Sequence, residues 1–561
     1  MTDKTGGPLV YVALGGAGEI GMNCYLYGLG EVRDRRWIMV DLGIGFGDME
    51  TAPGVELILP DLEFILGEKG RLEAIFLTHG HEDHVGAIPH LWAGLKVPVY
   101  ARAFTAEIVR RKMSEAGLDP KIVRQVGLGE RVEAGDFSVE WLAVNHSIPE
   151  ASMLAIRTPV GTVVHTGDFK MDAEPQLGEP FDMAVLEALG SEGVLAVTCD
   201  STNVFVRGES KSESSIIANL RARIEAAPRA VAATTFASNV ARLRTLAMAA
   251  HDAGRSIVVV GRAMRRMIEM AVATGQLTDF PPVVAEDRIA DIAPENLFYL
   301  VTGSQGEGRA ALARIAAGSH PAVKLTEGDT VLFSSKNIPG NEANIYRLYN
   351  RLSEQGVRVI DGEMDHIHVS GHARRGDLKR VYAALKPQVS LPMHGEHRHL
   401  VEHVRLARRW GVPEALLAPN GTVVRLDGNA PGVVEQVETG RVYLDGRVQI
   451  GALDGVVRER LKLARNGQVV VAVVVDMDGD LIADPEVRCL GAPKHGPGWK
   501  AALDEMIARA VDDALEGAAK KAKRTDAALE QLITRAARGV AVHHWGKKPV
   551  MTVLITRLED D

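Results

Sequence analysis

The stretch THGHEDHVG, Thr78 to Gly86, sets His79, His81, Asp83 and His84 within six positions, directly after the apolar run LEAIFL. Neutral imidazole and carboxylate are the usual nitrogen and oxygen ligands of a divalent ion. Four such side chains at the end of a buried strand are costly to desolvate without one. His79 and His81 alternate along the chain and can point to one side of an extended loop, which leaves Asp83 and His84 for a neighbouring position. Similar strand ends recur at VNH, ending in His146, at HTGD, ending in Asp168, and at LPMH, ending in His394. Any one of these histidines, taken alone, reads as an ordinary hydrogen-bonded residue; the set reads as a metal cluster. Two ions about 3.5–4 Å apart suit an in-line phosphodiester displacement. A metal-bound water titrates near 7 instead of about 15.7. No Ser-His-Asp or Cys-His device is then required.

Such residues need a scaffold that delivers several strand ends to one place, as the carboxyl edge of an α/β sheet does. Apolar runs between glycine-rich turns predict strands at 9–14, 37–40, 74–77, 139–144, 162–165 and 195–199. From about 211 to 359 the rhythm changes. Runs at 230–233, 256–260, 298–301 and 330–333 are mostly followed by helical patterns, which predicts a parallel α/β sheet. The metal-type chemistry resumes at 389–394, as if one domain were inserted into another. Short strands and turns at 426–460 suggest a linker. Beyond it an apolar run at 469–475, a helical stretch at 499–538 and a last strand at 550–555 form a small α+β unit.

HxHxDH followed by a later His, Asp and His resembles the signature of the metallo-β-lactamase fold. The words ALGGAGEIGMN, THGHEDHVGAIP, NHSIPE, HTGDFK, CDSTN, SGHA and PMHGEHRHL resemble the ribonuclease J family of the β-CASP branch, over nearly the whole chain. The resemblance implies an α/β protein: a metallo-β-lactamase αββα sandwich with an inserted parallel α/β β-CASP domain and a small C-terminal α+β domain. The expected boundaries are 1–210 and 360–430 for the two parts of the sandwich, 211–359 for the insertion, 431–460 for the linker and 461–561 for the C-terminal domain. It implies two Zn2+ ions, one held by His79, His81 and His146, the other by Asp83, His84 and His394, with Asp168 and a water between them. His372 is then expected near the scissile phosphate, to stabilise charge or protonate the leaving oxygen. Asp200 is expected to orient a ligand histidine. Substrate contacts are implied for Ser238, Asn239 and Val240 and for His368, Val369, Ser370, Gly371 and His372. A structural divalent ion, Ca2+ or similar, is implied at Asp48 and Asp445. The implied activity is 5′-to-3′ exonuclease and endonuclease cleavage of RNA in RNA maturation and decay.

The inserted block supports nucleic acid over a small substrate such as a β-lactam or thioester. Its strand-end loops 234–239, 302–307 and 334–340 are rich in Gly, Ser, Thr or Asn and precede helical patterns, where backbone N–H groups bind anions. Phe236 is a candidate for stacking on a base, although only 5% of residues are aromatic, so stacking is sparse. Arg262, Arg265, Arg266, Arg374 and Arg375 read either as the lining of an RNA channel or as solvated helix faces. A closed pocket at the 5′ end would seat a monophosphate and reject a triphosphate, so single-stranded RNA with a 5′-monophosphate is the expected substrate. A net charge of −9 argues against a sequence-independent nucleic-acid coat but not against a locally basic channel. An RNA-binding scaffold with a dead centre conflicts with the intact set of seven ligand positions.

Two motifs point elsewhere and are set aside. Gly16-Ala-Gly18-Glu-Ile-Gly21 matches GxGxxG, and Asp41 lies at the spacing of a dinucleotide site, but Met22–Tyr27 alternates like a strand and offers no helix start for a pyrophosphate. Asp476-Met-Asp-Gly-Asp480 hints at calcium but lacks the downstream glutamate, and reads better as a hairpin turn. Three cysteines without metal or redox spacing, and a first segment without a basic region and apolar core, suit the cytoplasm. No apolar run is long enough to span a membrane. The C-terminal unit adds no ligand to the cluster, and is therefore expected to assemble a homodimer or homotetramer.

Overall fold

A computed structural model describes residues 7–558 other than 69, 339 and 429. Two mainly apolar-filled sheets face each other in the first unit. One has eight strands in the order Gly432–Gln436, Thr422–Arg425, Leu9–Gly15, Cys24–Leu29, Arg36–Val40, Leu72–Phe76, Val99–Arg102 and Val123–Val126. The other has seven, in the order Arg131–Ala134, Phe137–Ala143, Ser152–Thr158, Gly161–His165, Ala196–Asp200, Val389–Met393 and Glu414–Ala415. Tyr11, Tyr27, Phe76, Phe137, Trp141, Leu154 and Leu391 form the core between them. Helices Met183–Glu192 and Arg375–Leu385 cover the second sheet through Leu186, Leu189, Leu378 and Val381. This is the α/β sandwich of a metallo-β-lactamase fold. The six strands expected before residue 200 all form.

The glycine motif at 16–21 opens no helix. The next element is the strand Cys24–Leu29, antiparallel to Leu9–Gly15 with Tyr27 opposite Tyr11. That topology removes the helix N-terminus on which a pyrophosphate would rest.

The inserted sheet is wholly parallel, in the order Ser256–Val260, Leu297–Val301, Val231–Thr234, Thr330–Phe333 and Arg358–Asp361. Both of its faces are apolar, as continuous runs such as Ile257–Val260 require, and each packs its own core. The loops after its three central strands lie side by side and hold one another. Gln305 Nε2 donates to Lys336 O at 3.0 Å, Ile338 N donates to Gln305 Oε1 at 2.8 Å, and Thr235 Oγ1 donates to Ser334 O at 3.0 Å. Pro339 of the third loop lies outside the described residues.

The C-terminal unit comprises Phe46–Ile58 and Val442–Asp561 by its internal contacts. The expected bounds of this unit did not include the short segment near residue 50; Glu56 N donates to Leu444 O at 3.1 Å, and Gly446 N donates to the Glu56 carboxylate at 2.8 Å. The sheet of this unit runs Leu481–Leu490, Gln468–Val475, Val550–Arg557. Asp476–Asp480 is the hairpin turn between the first two of these strands, closed by Asp480 N on Asp476 Oδ1 at 2.8 Å. The helical stretch expected at 499–538 is broken. It forms Leu503–Glu516 and Asp526–Trp545, with the one-turn helix Lys520–Lys523 between. A single helix of that length would run about 60 Å, against about 27 Å for an eight-residue strand. Breaking after Glu516 lets Ile507 and Val511 from one helix and Leu529 and Ile533 from the other cover the same valines, 469, 471, 473 and 475. The Thr525 hydroxyl caps the second helix on Ala528 N.

Candidate metal centre

The centre is built at the carboxyl ends of strands from both sheets of the sandwich. The strand Leu72–Phe76 ends two residues before Thr78, whose N–H and hydroxyl both donate to the Asp41 carboxylate at 2.8 Å. His79, His81, Asp83 and His84 follow. His146 comes from the loop after Phe137–Ala143, Asp168 from the loop after Gly161–His165, and His394 directly follows Val389–Met393. Two groups of ligand atoms, each within 4.8 Å of one another, result: His79, His81, His146 and Asp168, and Asp83, His84, Asp168 and His394. Asp168 is common to both. Its Oδ2 lies 3.3 Å from Nε2 of His84 and of His394, 3.7 Å from that of His146 and 3.8 Å from that of His79. Asp83 Oδ2 lies 3.7 Å from His84 Nε2 and 3.8 Å from His394 Nε2.

The far side of each imidazole shows which nitrogen faces inward. Thr78 gives its single hydroxyl proton to Asp41, so it accepts from His79 Nδ1 at 3.0 Å. His84 Nδ1 donates to Asp41 at 2.7 Å, His146 Nδ1 to Gly371 O at 2.7 Å, and His394 Nδ1 to Asn23 Oδ1 at 2.8 Å. With Nδ1 engaged on the far side in all four, each ring turns its Nε2 toward Asp168. Ring nitrogens converging on one buried carboxylate, whose other oxygen Oδ1 has no hydrogen-bond partner among the described residues, need either protons or a cation between them. The donor set, histidine nitrogen and carboxylate oxygen, is that of one or two borderline divalent ions.

Electrostatics agree. Burial pushes His79 and His81 well below the usual histidine range, helped by neighbouring histidines, and brings His146 down to about 4, so these rings stay neutral. Burial opposes charge on His394 as well, but Asp168 outweighs it and lifts the ring to about 9; His84 rises for the same reason. Burial alone would raise Asp168, yet His394, His84 and His372 hold its carboxyl well below the ordinary range. A cation entering the cluster displaces those protons.

Backbone geometry is specialised here. Asp41 and His394 adopt left-handed φ values of +59° and +50°, uncommon for residues with a Cβ. His394 N donates to Gly16 O at 2.7 Å, which gives the glycine loop its role: it supports a ligand. At Gly43 a Cβ would stand 1.7 Å from Asp83 O, so only glycine lets the two loops touch.

His372 sits at the rim, with 22% of its side chain exposed, its ring stacked 5.7 Å from that of His394. Its Nδ1 lies 2.9 Å from Asp200 Oδ2. Asp200 thus orients His372, and not a histidine of the two groups above. A further group, Asp168, Asp200, His372 and His394, shares the cluster. Asn203 Nδ2 donates to Ser370 Oγ at 2.9 Å and to His372 O at 3.0 Å, which fixes the segment 370–372 beside the ligands. His368 and Val369 lie at the inserted sheet's end, where Arg242 contacts both. In the other expected substrate loop, the Asn239 side chain caps the helix Val240–Asp252 and Val240 is buried, which leaves Ser238 half-buried. Arg265 pairs with Glu286 and Arg266 with Glu115 on solvated helix faces, whereas Arg375 is largely covered and is held by Glu402 and Val204 O. Asp48 accepts from the N–H groups of Glu50 and Thr51, and Asp445 pairs with Arg460; neither joins a group of three His, Cys, Asp or Glu among the described residues.

Sequence reasoning missed Asn23, Asp41 and Asn203 as positioning residues. Asp41 follows a predicted strand and Asn203 lies in CDSTN, but neither position shows which ring it will hold.

Comparison with known proteins agrees with this geometry. Family models match in chain order: the metallo-beta-lactamase superfamily at 17–205, the ribonuclease J beta-CASP domain at 228–352, a Zn-dependent metallo-hydrolase RNA specificity domain at 356–414, and the ribonuclease J C-terminal domain at 455–558. Ribonuclease J of Sinorhizobium meliloti is 43% identical over 98% of this chain and 97% of its own. That of Corynebacterium glutamicum is 35% identical over 98% and 77%, and that of Thermus thermophilus 34% over 84% of each. A solved protein of unknown function from Enterococcus faecalis shares the fold, with a TM-score of 0.50 and 17% identity over 75% of this chain and all of that one. With its buried histidine–aspartate cluster and its full-length likeness to these relatives, the chain belongs to the ribonuclease J family of metal-dependent hydrolases.

Proposed function

We propose that this protein hydrolyses RNA phosphodiesters as a cytoplasmic, two-zinc ribonuclease, from the 5′ end toward the 3′ end and internally. The observation that carries the reading is Asp168: one buried carboxylate oxygen within 3.3–3.8 Å of four inward-facing histidine nitrogens. His79, His81 and His146 would hold one ion, Asp83, His84 and His394 the other, with Asp168 shared. When bound, two zinc ions supply an activated water and neutralise charge on the phosphate. His372, backed by Asp200, is the group free to stabilise the scissile phosphate or protonate the leaving oxygen. Ser370, Gly371 and Ser238 with the neighbouring loops of the inserted sheet would hold the backbone through N–H and hydroxyl donors. A pocket closed at the 5′ end favours monophosphorylated single-stranded RNA. The C-terminal unit would assemble a dimer or tetramer. Among the described residues no helix is long and apolar enough to cross a membrane.

Metal analysis combined with product mapping on end-labelled RNA tests this. Expected are two zinc ions per chain, mononucleotides from 5′-monophosphate RNA, and slower exonucleolytic decay of triphosphate RNA. Equal decay of both ends, or hydrolysis only of small esters, overturns it.

A further inference from the structure

Arg242 is a fully buried arginine in the inserted domain, 0% exposed, far along the chain from every ligand residue. Its Nε and Nη2 clasp both oxygens of Glu213, itself 5% exposed, with Nη2 at 2.8 Å. Nη1 lies 2.9 Å from both Ser334 O and Oγ and 3.0 Å from His368 Nδ1, its two protons shared among the three; Nη2 also reaches Val369 O at 3.4 Å. A guanidinium has five donors and no acceptor. His368 Nδ1 must therefore accept, and a ring that accepts at Nδ1 is neutral with its proton on Nε2. That Nε2 is buried and has no partner among the described residues.

The segment that begins at His368 ends at the metal cluster. Ser334 Oγ donates to Ile367 O at 2.6 Å, and His146 Nδ1 donates to Gly371 O at 2.7 Å. The anchor is fastened at the other side too. Glu213 N donates to Asp172 Oδ2 at 2.9 Å, Asp172 pairs with the buried Lys170 at 2.8 Å, and Lys170 N donates to Asn145 O at 2.8 Å. Asn145 precedes His146, and Lys170 follows Asp168 by two residues. A closed circuit of buried polar contacts thus joins two ligand loops to the inserted domain.

We infer that Arg242 is a positioning residue: it holds His368 as an uncharged Nε2–H donor and fixes the segment 368–371 against the metal loops. Through that segment it sets where RNA lies relative to the cluster without touching RNA itself. This rests on the reading of the site as an RNA hydrolase. Burial, then the Arg242 charge, also push His368 well below the usual range, in keeping with a neutral ring. Lysine keeps the charge of arginine but not its fork, and cannot serve Glu213, Ser334 and His368 together.

The test is Arg242→Lys in the full chain loaded with zinc, read three ways. Nitrogen NMR of labelled histidine, with His368 assigned through His368→Gln, reports the tautomer. Steady-state kinetics on 5′-monophosphate RNA separate KM from kcat, and metal analysis counts ions. Expected are loss of the single Nε2–H form, a KM raised about tenfold with kcat within about threefold, and an unchanged metal count. A wild-type tautomer with wild-type KM overturns the inference; so does a fall of kcat and metal content together, which marks a merely structural role. Glu213→Asp, which draws the guanidinium back from His368, gives the same readouts if the lysine variant does not fold. If the wild-type chain leaves RNA intact, the functional reading fails, while the NMR result still decides the role of Arg242.

Discussion

At the scale of single residues the centre depends on carboxylates in two different roles. Asp168 faces both ligand groups, so Asp168→Ala should abolish metal-supported cleavage and lower bound metal while circular dichroism and the thermal midpoint stay close to wild type. Full activity of the metal-stripped variant would refute a two-metal centre. Asp41 touches no ligand space, but fixes His84 and, through Thr78, His79. Asp41→Asn should weaken metal binding by roughly 10- to 100-fold, read by competition with a chelating dye. Acid sensitivity has a remote source as well. His403 lies buried between Ser201 and Tyr382, and burial lowers it to about 4. Between pH 6.5 and 4 the unfolded chain binds this proton and the folded chain does not, so its contribution is complete above about 6.5 and declines by about 1.4 kcal/mol per pH unit below. The thermal-stability advantage of wild type over His403→Gln should therefore shrink from pH 7.5 to pH 5. The seven residues that gather in the two candidate ligand groups stood out in the sequence because imidazole and carboxylate are rare at buried strand ends. Asp41 could not, since an aspartate after a strand looks the same whether it binds a ribose or a histidine.

At the scale of elements, close approach between segments matters more than propensity. Gly371 passes the His146 ring so closely that a Cβ would lie 2.8 Å from its Nδ1. Gly371→Ala must push the ring aside or break its bond to Gly371 O. Weaker metal retention with a largely preserved fold is expected, checked by zinc titration beside a melting curve. Strands were legible because each is a short apolar run between polar or glycine-bearing turns, and the inserted sheet because its runs are apolar on both faces. The break between Glu516 and Asp526 was not. Gly517 ends the first helix and Thr525 caps the next, but the lysines and alanines between them carry good helix propensity and hide the break. The Asp476–Asp480 turn was legible, because apolar strands flank it on both sides.

At the scale of the molecule, the ligand residues all belong to the first unit and the second has a core of its own. Removing residues from 461 onward should leave the ligand set intact and lower the sedimentation coefficient to that of a smaller assembly; an unchanged oligomer would show that assembly is driven elsewhere. The insertion was legible because metal-type residues stop at Asp168 and resume at His394. The recruitment of Phe46–Ile58 into the C-terminal unit left no local pattern, being a pairing across nearly 400 residues; only the resemblance, by placing Asp48 with Asp445, hinted at it. The same separation orders events in time. His79 and His394 face a common carboxylate, yet the ribosome makes them roughly 300 residues apart, about 15–60 s at ordinary synthesis rates. Until His394 emerges and settles against Gly16, the nascent chain has an incomplete ligand set. On the proposed reading of the site, a nascent chain shorter than this is expected not to cleave RNA, the transcript from which it is being read included.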